Sequence, residues 1–247
     1  MRVLINNLLD FSNSCNWICC LKFLLLYRVL SVEREGQVKI TKVLFETISF
    51  KILFSFFEKK CNASCNFCIT KIREKKGILF DEDVLQIDDL KKILTRKIDK
   101  IEITGGGEPT LHPQIENIIE LCSNKAPTQM YTNGVLAGKI NNLSNLSYLC
   151  ISRAHHLDSE NKKIMGIDYN IHELLDKSPV KLSLMLCKQG INDKDSFLDY
   201  VKWASNIGVS KVVVREIINL DESEPKGYIS MLNLLNSLEL RELSFCK

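Results

Sequence analysis

Cys61, Cys65 and Cys68 fall within eight residues, in the run KKCNASCNFCIT, spaced C-x3-C-x2-C. Thiolates this close in sequence can converge on one face of an iron–sulfur cube. Such clusters are ordinarily held by four cysteines, and after Cys68 no Cys or His appears until His112. One iron is then left without a protein ligand, which points to chemistry at that iron rather than plain electron storage. A zinc knuckle is the alternative, but a structural zinc site needs four ligands and one is missing here. A buried thiol cluster without metal is the other.

Other groups with chemical capacity are polar residues at short apolar runs. Gly105-Gly106-Gly107-Glu108-Pro109 has neither the GxGxxG spacing of a dinucleotide loop nor the Lys-Ser/Thr of a P-loop. Glycines at a strand end let backbone approach a ligand closely, because no Cβ intervenes; the alternative is a tight turn before a helix near Pro113. Thr132 and Asn133 precede Gly134, and Asn-Gly is also a common turn pair. Ser152 and Arg153 bring a hydroxyl and a planar donor fork that suits a carboxylate, with a surface salt bridge as the competing role for Arg153. His155 and His156 read as loop residues. Arg215 and Glu216 close a late apolar run.

The elements that must position these groups follow from hydrophobic period. Residues 38–45 and 48–57 are rich in β-branched and aromatic residues, and Ile48, Phe50, Ile52, Phe54 and Phe56 alternate as in a strand. Helices are expected at 87–98, 115–122, 194–206 and 226–238, and strands at 100–104, 128–131, 148–152, 180–187 and 211–215. Counted from the strand before the cysteines, this is a βα alternation with six strands, which argues for a parallel sheet. In such sheets ligands gather at the carboxyl ends of the strands. The cysteines follow strand one, the glycine run strand two, Thr132-Asn133 strand three and Ser152-Arg153 strand four.

Composition is that of a soluble globule: 247 residues, 45% hydrophobic, 26% charged, net charge +3. So small a charge gives no reason to expect nucleic acid, and the basic stretches 71–76 and 91–100 contain acidic residues, as solvated helix faces do. Of ten cysteines, seven lie outside the triad at irregular spacing. Cys122, Cys150 and Cys187 sit in apolar patterns and read as small buried hydrophobes. Cys15, Cys19 and Cys20 offer only three local thiols toward any second cluster. Residues 17–30 (WICCLKFLLLYRVL) are interrupted by Lys22 and Arg28 and are shorter than the roughly 20 residues a bilayer requires. They read as a core or capping helix, so no membrane association is expected, and a reducing cytoplasm suits the thiols.

The cysteine spacing, Phe67 before the third cysteine and the GGGEP run together resemble the radical S-adenosylmethionine (radical SAM) superfamily over residues 48–217. In motif style the chain is similar to the molybdenum-cofactor and peptide-maturase-like members, which usually carry further C-terminal cysteines; here only Cys246 follows. The resemblance implies a partial (β/α)6 TIM-like barrel spanning residues 47–247, after an N-terminal extension at 1–46 of helical or β structure. It implies a [4Fe-4S] cluster on Cys61, Cys65 and Cys68, with SAM chelating the open iron. Contacts to SAM would come from Phe67, Gly106, Gly107, Glu108, Thr132, Asn133, Ser152 and Arg153, the glycine–glutamate motif taking the amino group. The implied activity is reductive cleavage of SAM to a 5′-deoxyadenosyl radical that acts on a small molecule or peptide, with flavodoxin or ferredoxin as the type of electron donor. The competing function is a non-catalytic iron–sulfur or electron-transfer module on the same fold. The residues single out no catalytic side chain.

Overall fold

The structure, a computed structural model, describes residues 2–6, 27–32, 38–42, 60–75 and 86–217, together with Ile229 and Leu234. Its strands are β1 (Arg2–Asn6), β2 (Tyr27–Val32), β3 (Val38–Lys42), β4 (Ile101–Ile103), β5 (Thr128–Thr132), β6 (Tyr148–Ser152), β7 (Val180–Met185) and β8 (Lys211–Arg215). They form a sheet in the order β3-β2-β1-β8-β7-β6-β5-β4. From β4 to β8 neighbours in space are neighbours in sequence, and every pairing is parallel. Parallel neighbours need a crossover. It is made by α3 (Ile115–Lys125) between β4 and β5, by α4 (Asp158–Met165) and α5 (Ile171–Leu175) between β6 and β7, and by α6 (Lys194–Asn206) between β7 and β8. Two 3₁₀ turns, Ala137–Lys139 and Leu143–Asn145, join β5 to β6. This mixed α/β architecture with a five-strand parallel sheet is the partial TIM-like fold expected.

At the far edge β1 adds in parallel to β8, with Arg2 opposite Lys211, and β2 and β3 continue antiparallel. The expected first barrel strand, 48–57, lies outside the described residues, as do positions 17–26 of the expected N-terminal helix. Tyr27 to Leu30, the end of that helix, instead belong to β2, which corrects the expectation. A ladder on both sides of β2 outweighs the weak intrinsic preference of a short apolar run. The closing helix expected at 226–238 also lies outside the described residues except for Ile229 and Leu234; Leu234 is helical and buried.

Alternation along the strands sends Ile101, Ile103, Met130, Leu149, Ile151, Leu182, Leu184, Val212 and Val214 into one core cluster with the helices. In α3, Ile115, Ile118, Ile119 and Cys122 fall at i, i+3, i+4 and i+7 and are all buried, the stripe of a helix packed on a sheet. In α6, Phe197, Tyr200, Val201 and Ala204 do the same, and Asp193 caps that helix by accepting from the Ser196 N–H at 2.8 Å. Each large side chain so buried contributes about 1.5–3 kcal/mol. The helix expected at 87–98 is shorter: α2 (Ile87–Leu94) ends where the Thr95 hydroxyl donates to the Lys92 carbonyl at 2.7 Å. Lys91 and Lys92 are exposed beside Asp88 and Asp89, the solvated face expected of that stretch. Cys122, Cys150 and Cys187 are buried, as expected of small apolar side chains.

Candidate functional site

The cysteine segment is gripped from two sides at the carboxyl rim of the sheet. On one side the loop after β4 holds both its ends. The Lys60 carbonyl, next to Cys61, accepts from the Glu108 N–H at 2.9 Å, and the Thr70 hydroxyl donates to the Gly106 carbonyl at 2.6 Å. A Cβ on Gly107 would lie 2.2 Å from the Lys60 oxygen and 3.2 Å from its nitrogen. Backbone atoms cannot swing aside, so only glycine admits this approach. Beyond Cys68 the chain turns directly into α1 (Ile69–Lys75), with the Ile72 N–H donating to the Cys68 carbonyl at 3.0 Å.

On the other side the end of α4 receives the loop. The Met165 carbonyl accepts from the Ser64 N–H at 2.8 Å, and Cys65 Sγ lies 4.0 Å from the same oxygen. Gly166 ends α4 in the left-handed conformation at φ +68°, and a Cβ there would stand 1.9 Å from Ser64 Oγ. Gly166→Ala is therefore expected to cost about 2 kcal/mol in denaturant unfolding and to lower the iron retained after reconstitution. Gly208 is the control: its φ is +85° but nothing lies within 4 Å of a Cβ built there, so Gly208→Ala should cost only the backbone strain and leave iron binding intact. Equal iron loss in both would refute a docking role for Gly166.

Glu108 ties these loops together. It is 3% exposed. Its Oε1 accepts from the Thr110 N–H at 3.1 Å, the Thr110 hydroxyl at 2.6 Å and the Thr132 hydroxyl at 2.6 Å; Oε2 accepts from the Asn133 N–H at 2.7 Å. A carboxylate oxygen offers about two acceptor positions, and Oε2 takes a single donor here, which leaves it room for one more. Asn133 in turn donates through Nδ2 to Asn62 Oδ1 at 2.6 Å and lies 3.8 Å from Cys61 Sγ. The strand-end motifs after β4 and β5 thus meet the cysteine segment directly. Phe67 and Cys65 are half-buried against Ala154, Met165, Ile167, Cys187 and Ile217, an apolar cluster beneath the loop.

Ser152 and Arg153 part company. Ser152 is half-buried on the face opposite the helices, paired in register with Ser183. Arg153 is 2% exposed. Its Nη2 donates to the His156 carbonyl at 2.9 Å and pairs with Asp158 of α4. The guanidinium stands 4.7 Å from the Trp203 ring and 5.7 Å from that of Tyr169. One residue beyond Ser152, it takes the opposite face and folds back into the helix layer. Its Nε is buried without a hydrogen-bond partner. His155 and His156 stack at 4.5 Å, and burial holds both imidazoles below their usual range.

The donor chemistry fits an iron–sulfur cluster. Burial pushes the Cys65 thiol up to about 12, with Cys68 and Cys61 adding repulsion. Burial also raises Cys61, with Glu108 and Cys68 adding and the Ala63 N–H and Asn133 amide opposing. A bound cationic centre would offset these costs and favour the thiolate form. Among the described residues no three His, Cys, Asp or Glu side chains are grouped to hold a single ion, so the fit rests on three soft sulfurs and the N–H donors near Cys61 Sγ. Asn62, Ser64, Thr70, Thr110 and Tyr169 were not legible as site residues: single small polar residues carry no spacing signal.

No helix among the described residues is long and apolar enough to cross a membrane. No curated protein matches the chain. Among solved structures it is similar to TYW1 with a lysine-pyruvate adduct bound, at 15% identity and TM-score 0.48, covering 75% of this chain and 68% of that one. It is also similar to a radical SAM methyltransferase from Sphaerobacter thermophilus, at 13% identity and TM-score 0.51, covering 89% of this chain and 66% of that one. The chain thus spans about two thirds of the length of these proteins, and the second likeness supports the fold. The family model of the Radical SAM superfamily matches residues 57–224, well over half of the chain. The chain therefore belongs to the radical SAM superfamily, an enzyme class whose cofactors are a [4Fe-4S] cluster and SAM.

Proposed function

We propose that this chain is a radical SAM enzyme in which Cys61, Cys65 and Cys68 ligate the cluster, and that residues 47–247 form the catalytic unit beyond an N-terminal extension at 1–46. When bound, the cofactors supply one-electron cleavage of the SAM sulfonium to a 5′-deoxyadenosyl radical, which abstracts hydrogen from an unreactive C–H bond of the substrate. The protein's part is to hold and to shield. Gly106 and Gly107 offer bare backbone to SAM, and Glu108 offers the open position on Oε2 to its amino group. Asn133 donates near Cys61 Sγ, where a hydrogen bond to sulfur tunes the cluster potential. Phe67 and the apolar cluster beneath it keep water from the Cys65 side. Thr132 works through Glu108, and Ser152 faces the interior where substrate would sit.

The observation that carries this reading is the cysteine segment locked at Lys60 by the glycine–glutamate loop and at Ser64 by α4. Substrate is a small molecule or peptide, and the reductant is of the flavodoxin or ferredoxin type, in a cytoplasmic setting. The test is anaerobic reconstitution followed by SAM and dithionite. Release of 5′-deoxyadenosine with multiple turnovers is expected. A loaded cluster that never cleaves SAM would favour the non-catalytic module instead.

A further inference from the structure

Among the described residues, the face of the sheet turned away from the helices is polar and carries more positive than negative side chains. Strand alternation places Glu102, Gln129, Tyr131, Tyr148, Cys150, Lys181, Lys211 and Arg215 on it, opposite the apolar face that packs on α3 and α6. Glu102, its carboxylate among these strands, is already engaged: Oε1 accepts from Lys100 at 3.0 Å and from Gln129 at 2.6 Å. Lys181 is 8% exposed and donates to the Gln129 amide oxygen at 2.8 Å, while standing 3.8 Å over the Tyr148 ring. Lys211 donates to the Tyr148 hydroxyl at 2.6 Å. Neither lysine meets a carboxylate in these contacts.

Arg215 ends β8 and reaches across to the Tyr131 ring of β5 at 4.9 Å. Two strands lie between β5 and β8, about 14 Å on a flat sheet, so the sheet curls toward this face and makes it a hollow. Arg215 Nε is buried without a hydrogen-bond partner. A buried donor left unpaired is costly, and stacking of the guanidinium on an aromatic ring preorganises the donor fork. Burial pulls the Lys181 ammonium down to about 8, with Lys100 and Lys211 adding repulsion and Cys150 and Glu102 opposing it. Every one of these features asks for a negative group in the hollow.

The hollow also opens toward the chemistry. Arg215 is in register with Met185, and Met185 and Ile217 belong to the apolar cluster that carries Cys65 and Phe67. We propose that Arg215, backed by Lys181 and Lys211, forms an anion subsite that anchors a carboxylate or phosphoryl group of the substrate and so presents a neighbouring C–H to the cysteine rim. This rests on the radical SAM reading and names the substrate class: a compound with at least one fixed negative charge.

The experiment uses the anaerobically reconstituted chain and two probes, malonate for carboxylates and inorganic phosphate for phosphoryl groups, at fixed ionic strength. The wild-type melting temperature should rise saturably with one of them, and which one identifies the anion. Arg215→Gln should weaken the apparent affinity about tenfold or more. Lys163→Gln, on the surface beside Glu160, should leave it unchanged. If Arg215→Gln does not fold, Arg215→Lys is measured instead: severalfold weakening supports the subsite, and unchanged affinity overturns it. The proposal is also overturned if neither anion gives a saturable shift, or if Arg215→Gln weakens SAM binding by the same factor, since the fork would then serve the SAM carboxylate. The melting shift can be read with or without the cluster, so failure to load iron sinks the radical SAM reading and is recognisable as such.

Discussion

Alanine at any one of Cys61, Cys65 or Cys68 is expected to abolish 5′-deoxyadenosine formation, with losses of at least about 100-fold, since even outer-shell groups of a metal site carry that much. In the proposed ligation three cysteines leave no redundancy, so losing one would expose a second iron to water and release the cluster. Cys122→Ala is the matched control. Cys122 is fully buried in α3, and burial alone pushes its thiol up to about 12. It should lose only about 1 kcal/mol of stability through the missing sulfur and keep a full cluster. Iron, sulfide and product measured on the four variants under anaerobic conditions decide the matter. Equal loss of iron from Cys122→Ala would mean that the ligands are misassigned.

Glu108→Gln is expected to have the second-largest effect, through structure rather than ligation. The four donors on Glu108 come from three residues in two loops, at a site 3% exposed. Glutamine presents an NH₂ where one oxygen accepted, setting donor against donor at Asn133 N–H or at the Thr110 and Thr132 hydroxyls. A hydrogen bond to a charged group contributes about 1.5–3 kcal/mol, so a loss of about 2–3 kcal/mol in urea unfolding is expected. Iron retention should fall with it, because Lys60 and Asn62 are held through the backbone of Glu108 and the side chain of Asn133. Glu108→Asp, which keeps the charge on a shorter stem, should recover part of the stability. Wild-type stability in Glu108→Gln would show that the carboxylate is not holding these loops.

The fold class was legible because the strands from residue 100 onward are short, apolar and regularly spaced. Tyr148–Ser152, Lys194–Asn206 and Lys211–Arg215 were readable to the residue, since turn-forming residues or charges bound each one. The apolar stretch ending in Tyr27-Arg28-Val29-Leu30 reads as helix, yet it pairs with β1 well before it in the chain and with β3 only a few residues after it. A run this apolar has no alternation to mark it as a strand. Helices α1, α4 and α5 leave little signal for a different reason: α1 and α5 are short, and half of α4 is charged, with Ile164 and Met165 its only buried apolar residues.

At the site, residue type revealed the cysteines and glycines but not the clamps between them. Gly166 looked like any loop glycine, and only the approach of Ser64 gives it a role. Arg153 has chemistry that suits a carboxylate, and its contacts with Trp203 and Asp158 carry no spacing signal in the sequence. Arg215 follows a late apolar run with no motif around it, yet it occupies the interior face with its Nε unpaired.

The central claim is a cluster with one iron free to take SAM. The direct measurement is the electron paramagnetic resonance spectrum of the dithionite-reduced, reconstituted protein, recorded before and after SAM is added. A [4Fe-4S]⁺ signal whose g-values change on SAM addition is the expected result, since ligation at the open iron alters the electronic structure of the whole cube. Identical spectra at saturating SAM, from protein holding about four irons per chain, would contradict the account.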